Sequence, residues 1–224
     1  YYFDPKTDYA PTTAISSISW DDPNFPNIEG FGVWAAKCNF TMGPDGKMYS
    51  RMLGGNLVRI DVENARGENL TNGDLVGTKD GSAYGLVFDP QDENVFYFSN
   101  NDKHCIYKYD LRTKECACWA GQEGKSGYLD GPIGQAMFNK PGQMCVDSEG
   151  NIILTDTENH CIRKITMSTG YVSTLAGKPQ NSGYVNGSAE DAQFKKPLGI
   201  CIDNDDVMYI GDSENRAIRR LAVE

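Results

Sequence analysis

Residues 119–149 read WAGQEGKSGYLDGPIGQAMFNKPGQMCVDSE, and residues 175–205 read LAGKPQNSGYVNGSAEDAQFKKPLGICIDND. The second stretch repeats the first 56 residues later with no insertion. Gly121 pairs with Gly177, Tyr128 with Tyr184, Gly131 with Gly187, Phe138 with Phe194, Pro141 with Pro197 and Cys145 with Cys201. The register continues to Asp156 and Asp212, Asn159 and Asn215, and Ile162 and Ile218. A fixed period of this length means one supersecondary unit stacked several times.

Each unit opens with a short apolar strand: Leu86 to Phe88, Met144 to Val146, Ile200 to Ile202. A polar turn rich in Asp, Asn and Gly follows, residue types that accept positive φ or bond their own backbone. A second strand (Val95 to Phe98, Ile152 to Leu154, Val207 to Ile210) leads to a second turn at 100–104, 156–160 and 212–216. A third strand alternates apolar and basic residues, as in Ile162-Arg163-Lys164-Ile165 and Ile218-Arg219-Arg220-Leu221. A fourth, Cys116 to Trp119 or Val172 to Leu175, completes the unit. Four antiparallel strands per unit predict an all-β fold, a β-propeller of four-stranded blades with about four blades in residues 1–224.

Blades are expected at 38–75, 84–119 and 142–175, an incomplete last blade at 198–224, and the end of a blade at 1–20. Tyr1 to Thr7 matches Tyr107 to Thr113, a third strand, and Ala14 to Trp20 can supply a missing outer strand. The two ends do not complement each other, because both supply a third strand. We therefore expect an arc of a larger ring, with further blades or a second copy covering its open faces.

The 224 residues carry 21 basic and 31 acidic side chains, a formal charge of -10. A phosphate-tracking surface needs clustered Lys and Arg, so nucleic acid is not an expected partner; Lys140, Lys195 and Lys196 make only a small basic patch. No apolar run reaches membrane-spanning length, which predicts a soluble chain. It starts at Tyr1 without a signal segment, which reads as a processed chain or a piece of a longer one. Seven cysteines are too symmetrically placed for a disulfide framework: Cys105 and Cys161 are repeat equivalents, as are Cys145 and Cys201. They read as small core residues, with Cys116 and Cys118 a marginal pair on one strand face.

The segments DTENHCIRKI (Asp156 to Ile165) and DSENRAIRRL (Asp212 to Leu221) closely resemble the core of the NHL repeat. The preceding LAG, SGYxxG and AxFxxP elements look like a longer NHL variant with an extended loop between blades, similar to bacterial cell-surface proteins that pair an IPT/TIG domain with a propeller. The resemblance is strong from about residue 83 to 224. It implies a propeller, most often six-bladed, and an extracytoplasmic or cell-surface location.

Candidate chemistry is sparse. His104 and His160, both repeat equivalents in second turns, read as turn-filling residues rather than ligands. Asp156 and Asp212 read as turn carboxylates that accept backbone N–H groups. The neighbouring Glu158, Glu214 and Asp102 are expected to point outward, free for a ligand. Trp34 and Tyr84 serve equally as stacking platforms or as packing, and Gln143 stands among the innermost residues. No phosphate-cradling, nucleophile-elbow or zinc-protease motif occurs. These residues (Trp34, Tyr84, Asp102, Gln143, Glu158, Glu214) predict a binding or scaffold module that recognises a glycan or protein on the rim of the second turns, with no cofactor. The alternative is a metal-dependent hydrolase or lyase with Ca²⁺ at the central channel, for which Asn39, Tyr84, Gln143 and Leu198 are a poor ligand set.

Overall fold

The computed structural model describes residues 2–3, 11–12, 40–51, 56–61, 66–71 and 84–222. Trp34, Asn39 and the segment Ala14 to Trp20 lie outside the described residues. Four antiparallel sheets follow one another along the chain as four blades of a propeller, and a two-residue pair, β1 (Tyr2–Phe3) with β2 (Pro11–Thr12), precedes them.

Blade 1 contains β3 (Thr41–Met42), β4 (Met48–Arg51), β5 (Leu57–Asp61) and β6 (Arg66–Asn69); blade 2 contains β7 (Leu86–Phe88), β8 (Val95–Asn100), β9 (Cys105–Asp110) and β10 (Cys116–Gly121). In blade 3, β12 (Pro141–Val146), β13 (Ile152–Asp156), β14 (Cys161–Thr166) and β15 (Tyr171–Ala176) are joined by β11 (Gly131–Pro132) on the outer edge of β15. Blade 4 shows β16 (Pro197–Ile202), β17 (Met208–Asp212) and β18 (Ala217–Leu221). The strands run antiparallel in simple up-and-down order, as hairpin turns of this length require.

Strand alternation gives each blade two faces, and both are apolar. Along β8, Phe96 and Phe98 point one way and Tyr97 the other. The first pair packs with Tyr49 and Leu57 of blade 1. Tyr97, Val87 and Ile106 pack with Met144, Ile152, Leu154 and Ile165 of blade 3. The same step recurs between Ile153 and Ile162 of blade 3 and Ile200, Met208 and Ile210 of blade 4. The core is therefore three sheet-on-sheet layers rather than one centre.

The first-turn Asp is a local staple. Asp45, Asp89 and Asp203 each bond a backbone N–H two residues on and a Tyr hydroxyl from the second strand: Tyr49, Tyr97 and Tyr209. In blade 3, Asp147 accepts from Asn151 instead and pairs with Lys164 at 3.0 Å.

Candidate functional site

Two ends of the propeller axis differ in what they offer. The second-turn end is built by the long connections. Asp156 ends β13 fully buried, and its Oδ1 accepts the Asn139 N–H at 2.7 Å. That donor comes from the connection before the blade, not from the turn itself. Oδ2 accepts from Arg163 at 2.7 Å and from Asn159 at 2.8 Å. The fully buried Arg163 donates onward to the carbonyls of Met137 and Leu129 and to Asp130. Its guanidinium lies between the rings of Tyr128 and Phe138, 4.9 and 5.2 Å from their centroids. Burial works against both charges. It pushes the Asp156 carboxyl up to about 6, and Asp156 in turn holds Arg163 above its ordinary value.

Arg219 repeats the arrangement with Asp212 at 2.9 Å, the carbonyls of Gln193 and Val185, Asn186, and the rings of Tyr184 and Phe194 at 5.0 Å each. In sequence these two arginines are only the basic positions of an alternating strand; in the structure both are buried. Each is the post around which the SGYxxG loop folds. The same cage explains Gly121 and Gly177, at φ 94° and 98°. A Cβ there would meet the Phe138 ring at 2.9 Å or the Phe194 ring at 3.0 Å.

The expected ligand residues on this rim are largely engaged. Glu158 and Glu214 are not free: Lys196 Nζ lies 3.4 Å from one and 3.0 Å from the other, and Lys195 is 3.5 Å from Glu214. Gln143 spans two inner strands, its Oε1 accepting the Ile200 N–H at 3.2 Å. The Tyr84 N–H faces Ser99 Oγ at 3.4 Å at the entry to β7, and Asp102 is exposed on its turn. The structure links Glu158 with Glu214 through Lys196 and joins none of the others to them by a hydrogen bond or ion pair among the described residues. His104 and His160 adopt positive φ (56° and 58°), and their Nδ1 atoms accept the N–H groups of Lys140 and Lys196 at 3.1 and 3.2 Å. Both are turn residues.

The first-turn end is open. A cavity of about 850 Å³ is lined by the first strands of all four blades: Thr41 from β3, Leu86 to Phe88 from β7, Met144 to Val146 from β12 and Ile200 to Ile202 from β16. Pro44, Asp89, Pro90, Gln91 and Glu93 form its mouth. Cys145 and Cys201 both line it. Burial and the neighbouring Cys201 push the Cys145 thiol up to about 12. Cys201 is exposed, contrary to the core reading, whereas Cys105 and Cys161 are fully buried as read. All six described cysteines are free. No group of three or more His, Cys, Asp or Glu side chains is gathered for a metal among the described residues, and no described helix is long and apolar enough to cross a membrane. The signal for this groove was present in the sequence as the equivalent apolar triplets of the first strands, which we read only as the strand that opens each unit.

Residues 138–165 match the model of the NHL repeat. NHL repeat-containing protein 2 of Gallus gallus is 30% identical over 152 residues, covering 67% of this chain and 19% of that protein. A structural genomics protein of unknown function from Bacteroides thetaiotaomicron superposes with a TM-score of 0.76 at 28% identity, over 83% of this chain and 46% of its own. An auxiliary nutrient binding protein from the same organism gives a TM-score of 0.68 at 28% identity, over 81% and 46%. The chain is a β-propeller that carries the NHL repeat, and it spans about half the length of these solved structures.

Proposed function

We propose that this chain is a ligand-binding module whose site is the axial groove at the first-turn end. The observation that carries this reading is the groove itself, about 850 Å³ and walled by the inner strands of four successive blades. Likeness to the auxiliary nutrient binding protein supports a binding role over a purely structural one. On the opposite rim, where the sequence pointed to a glycan or protein, Glu158 and Glu214 are tied to Lys195 and Lys196.

The lining favours one ligand class. Phe88, Cys145, Val146, Cys201 and Ile202 offer accessible apolar walls, while Asp89 and Glu93 put carboxylates in the lining, which contains no Lys, Arg or His. A small organic molecule with an apolar body and a neutral or cationic end fits this pattern; an anion of the same shape meets repulsion from Asp89 and Glu93.

Cys201 supplies a built-in reporter. Alkylation at Cys201 is followed by peptide mass spectrometry with tryptamine or indole-3-propionate present. Tryptamine is expected to slow labelling, and Ile202→Lys to abolish that protection. Equal protection by both compounds, or by neither, sinks the proposal.

A further inference from the structure

Two thiols share one face of blade 2. Cys118 of β10 pairs with Tyr107 of β9, and Gly121 pairs with Cys105, with a bulge between Cys118 and Ala120. Cross-strand partners, and residues two apart on one strand, point to the same side of a sheet. Cys105, Tyr107 and Cys118 therefore lie together on the front, in the cluster that packs on blade 1. Cys118 Sγ lies 3.8 Å from the carbonyl oxygen of Gly121, the residue directly opposite Cys105. The Cys105 thiol hydrogen-bonds to Cys118. The sequence offered Cys116 and Cys118 as a marginal pair; the sheet seats Cys118 against Cys105 instead.

The two thiols differ in access and in acidity. Cys105 is fully buried, whereas Cys118 is half-buried. The hydrogen bond from Cys105 holds the Cys118 thiol below its ordinary value, and Cys105 itself is pushed up, by Cys118 first and by burial second. That combination describes an outer attacking sulfur with a resolving thiol behind it. Beside them, the Tyr107 hydroxyl is buried without a hydrogen-bond partner. Blades 3 and 4 lack the pair. The same positions hold Cys161 and Thr174 in blade 3, where the Thr174 hydroxyl meets Tyr128 and Asp130, and Ala217 takes the place of the first cysteine in blade 4.

We propose that Cys118 and Cys105 form a reversible disulfide, a modification site for hydroperoxides on the outer strands of blade 2. The Cys118 thiolate attacks one oxygen of the peroxide and takes up its OH, the O–O bond breaks, and the leaving alkoxide or hydroxide is protonated. Cys118 becomes a sulfenic acid, oxidised by two electrons, and its oxygen gives the Tyr107 hydroxyl the acceptor it lacks. The Cys105 sulfur then attacks the Cys118 sulfur, and its proton leaves with the displaced hydroxyl as water. Two thiols and one hydroperoxide give one disulfide, one alcohol (water from hydrogen peroxide) and one water. A dithiol reductant reverses the step. The bridge ties β9 to β10 where the long connection to blade 3 departs, next to the Trp119 ring that packs on Tyr97 at 4.2 Å. It lies on the outer strands, away from the axial groove, and its test needs no ligand of that groove.

The folded, reduced chain is treated with hydrogen peroxide, remaining thiols are blocked with N-ethylmaleimide in denaturant, and tryptic peptides are read by mass spectrometry. A peptide pair joining Cys105 to Cys118, two hydrogens lighter than its parts and split by dithiothreitol, is expected, with Cys161 still free to be blocked. Cys118→Ser is expected to lose the cross-link and leave Cys105 a free thiol. Cys105→Ser is expected to leave Cys118 as a sulfenic acid that dimedone labels. Tyr107→Phe keeps the ring and is expected to slow cross-linking about fivefold, the worth of one hydrogen bond. Cys105 and Cys118 both free after oxidation overturns the proposal. So does a cross-link that runs through Cys116 or survives Cys118→Ser, and an equal rate in Tyr107→Phe overturns the part given to Tyr107.

Discussion

Blades 2 and 3 have the same strand order and solve the same packing problem with different chemistry. At the position of Arg163, blade 2 has Tyr107; at the position of Asp156, it has Asn100. Blade 2 fills the space with rings: Phe98 stacks on Tyr107 at 5.5 Å and Phe96 lies 5.1 Å from Tyr109. Blade 3 fills it with a buried ion pair between two aromatic rings. A buried pair earns no automatic stability, because desolvation of both charges offsets their attraction. What blade 3 gains is attachment. Arg163 donates to the carbonyls of Met137 and Leu129, so the long connection is fixed in place, with β11 added to the sheet edge.

The contrast is open to direct attack. Arg163→Leu leaves Asp156 buried without its partner, and a loss of roughly 3–5 kcal/mol is expected in urea unfolding. Adding Asp156→Leu to it is expected to recover much of that loss; if the double variant is as unstable as the single, the cage does more than neutralise a charge. Phe138→Ala removes one ring of the sandwich and opens a cavity, at a cost of roughly 3 kcal/mol or more. Gly177→Ala forces positive φ on an alanine whose Cβ meets the His160 carbonyl at 3.0 Å, and roughly 1–3 kcal/mol is expected from thermal melts.

The smallest effect is a pH dependence. Burial first, then Lys140, holds the His104 imidazole below its ordinary value of 6.5. The unfolded chain then binds more protons at this site, so stability rises with pH up to about 6.5 and is lost as pH falls toward the depressed folded value. His104→Asn keeps a side-chain acceptor and tolerates positive φ, and it is expected to flatten the slope of stability between about pH 5 and 6.5. An unchanged slope assigns the dependence to other groups.

The fold was legible because a propeller is a local code. Each strand pairs with its sequence neighbour, so the apolar triplets, the Asp-led turns and the fixed period suffice. The second strands run further than their apolar residues suggest, β13 to Asp156 and β17 to Asp212, because the carboxylate closing each strand is satisfied from a distant connection. The site was less legible. Arg163 stood only as a basic position on an alternating strand, and alternation cannot tell which face another segment covers. A signal did exist: Asp and Arg occur together at 156 and 163 and at 212 and 219, and are absent together at Asn100 and Tyr107. Glu158 and Glu214 misled for a related reason, because the lysine that binds both sits in a connection 38 and 18 residues away in sequence. The groove depends on four strands meeting at an axis, which no single stretch of sequence shows.

Small clamps join blades 3 and 4 near that axis. Thr155 and Thr157 hydroxyls donate to the carbonyls of Leu198 and Pro197 at 3.0 and 2.9 Å, and the Ser148 N–H donates to Asp206 at 2.9 Å across the first turns. They hold neighbouring wedges at a set angle from both rims. Copying one 56-residue unit would reproduce donor and acceptor together, so the array can lengthen by duplication without any new contact being invented. Each added wedge would widen the bore, so the width of the axial groove would follow the number of units.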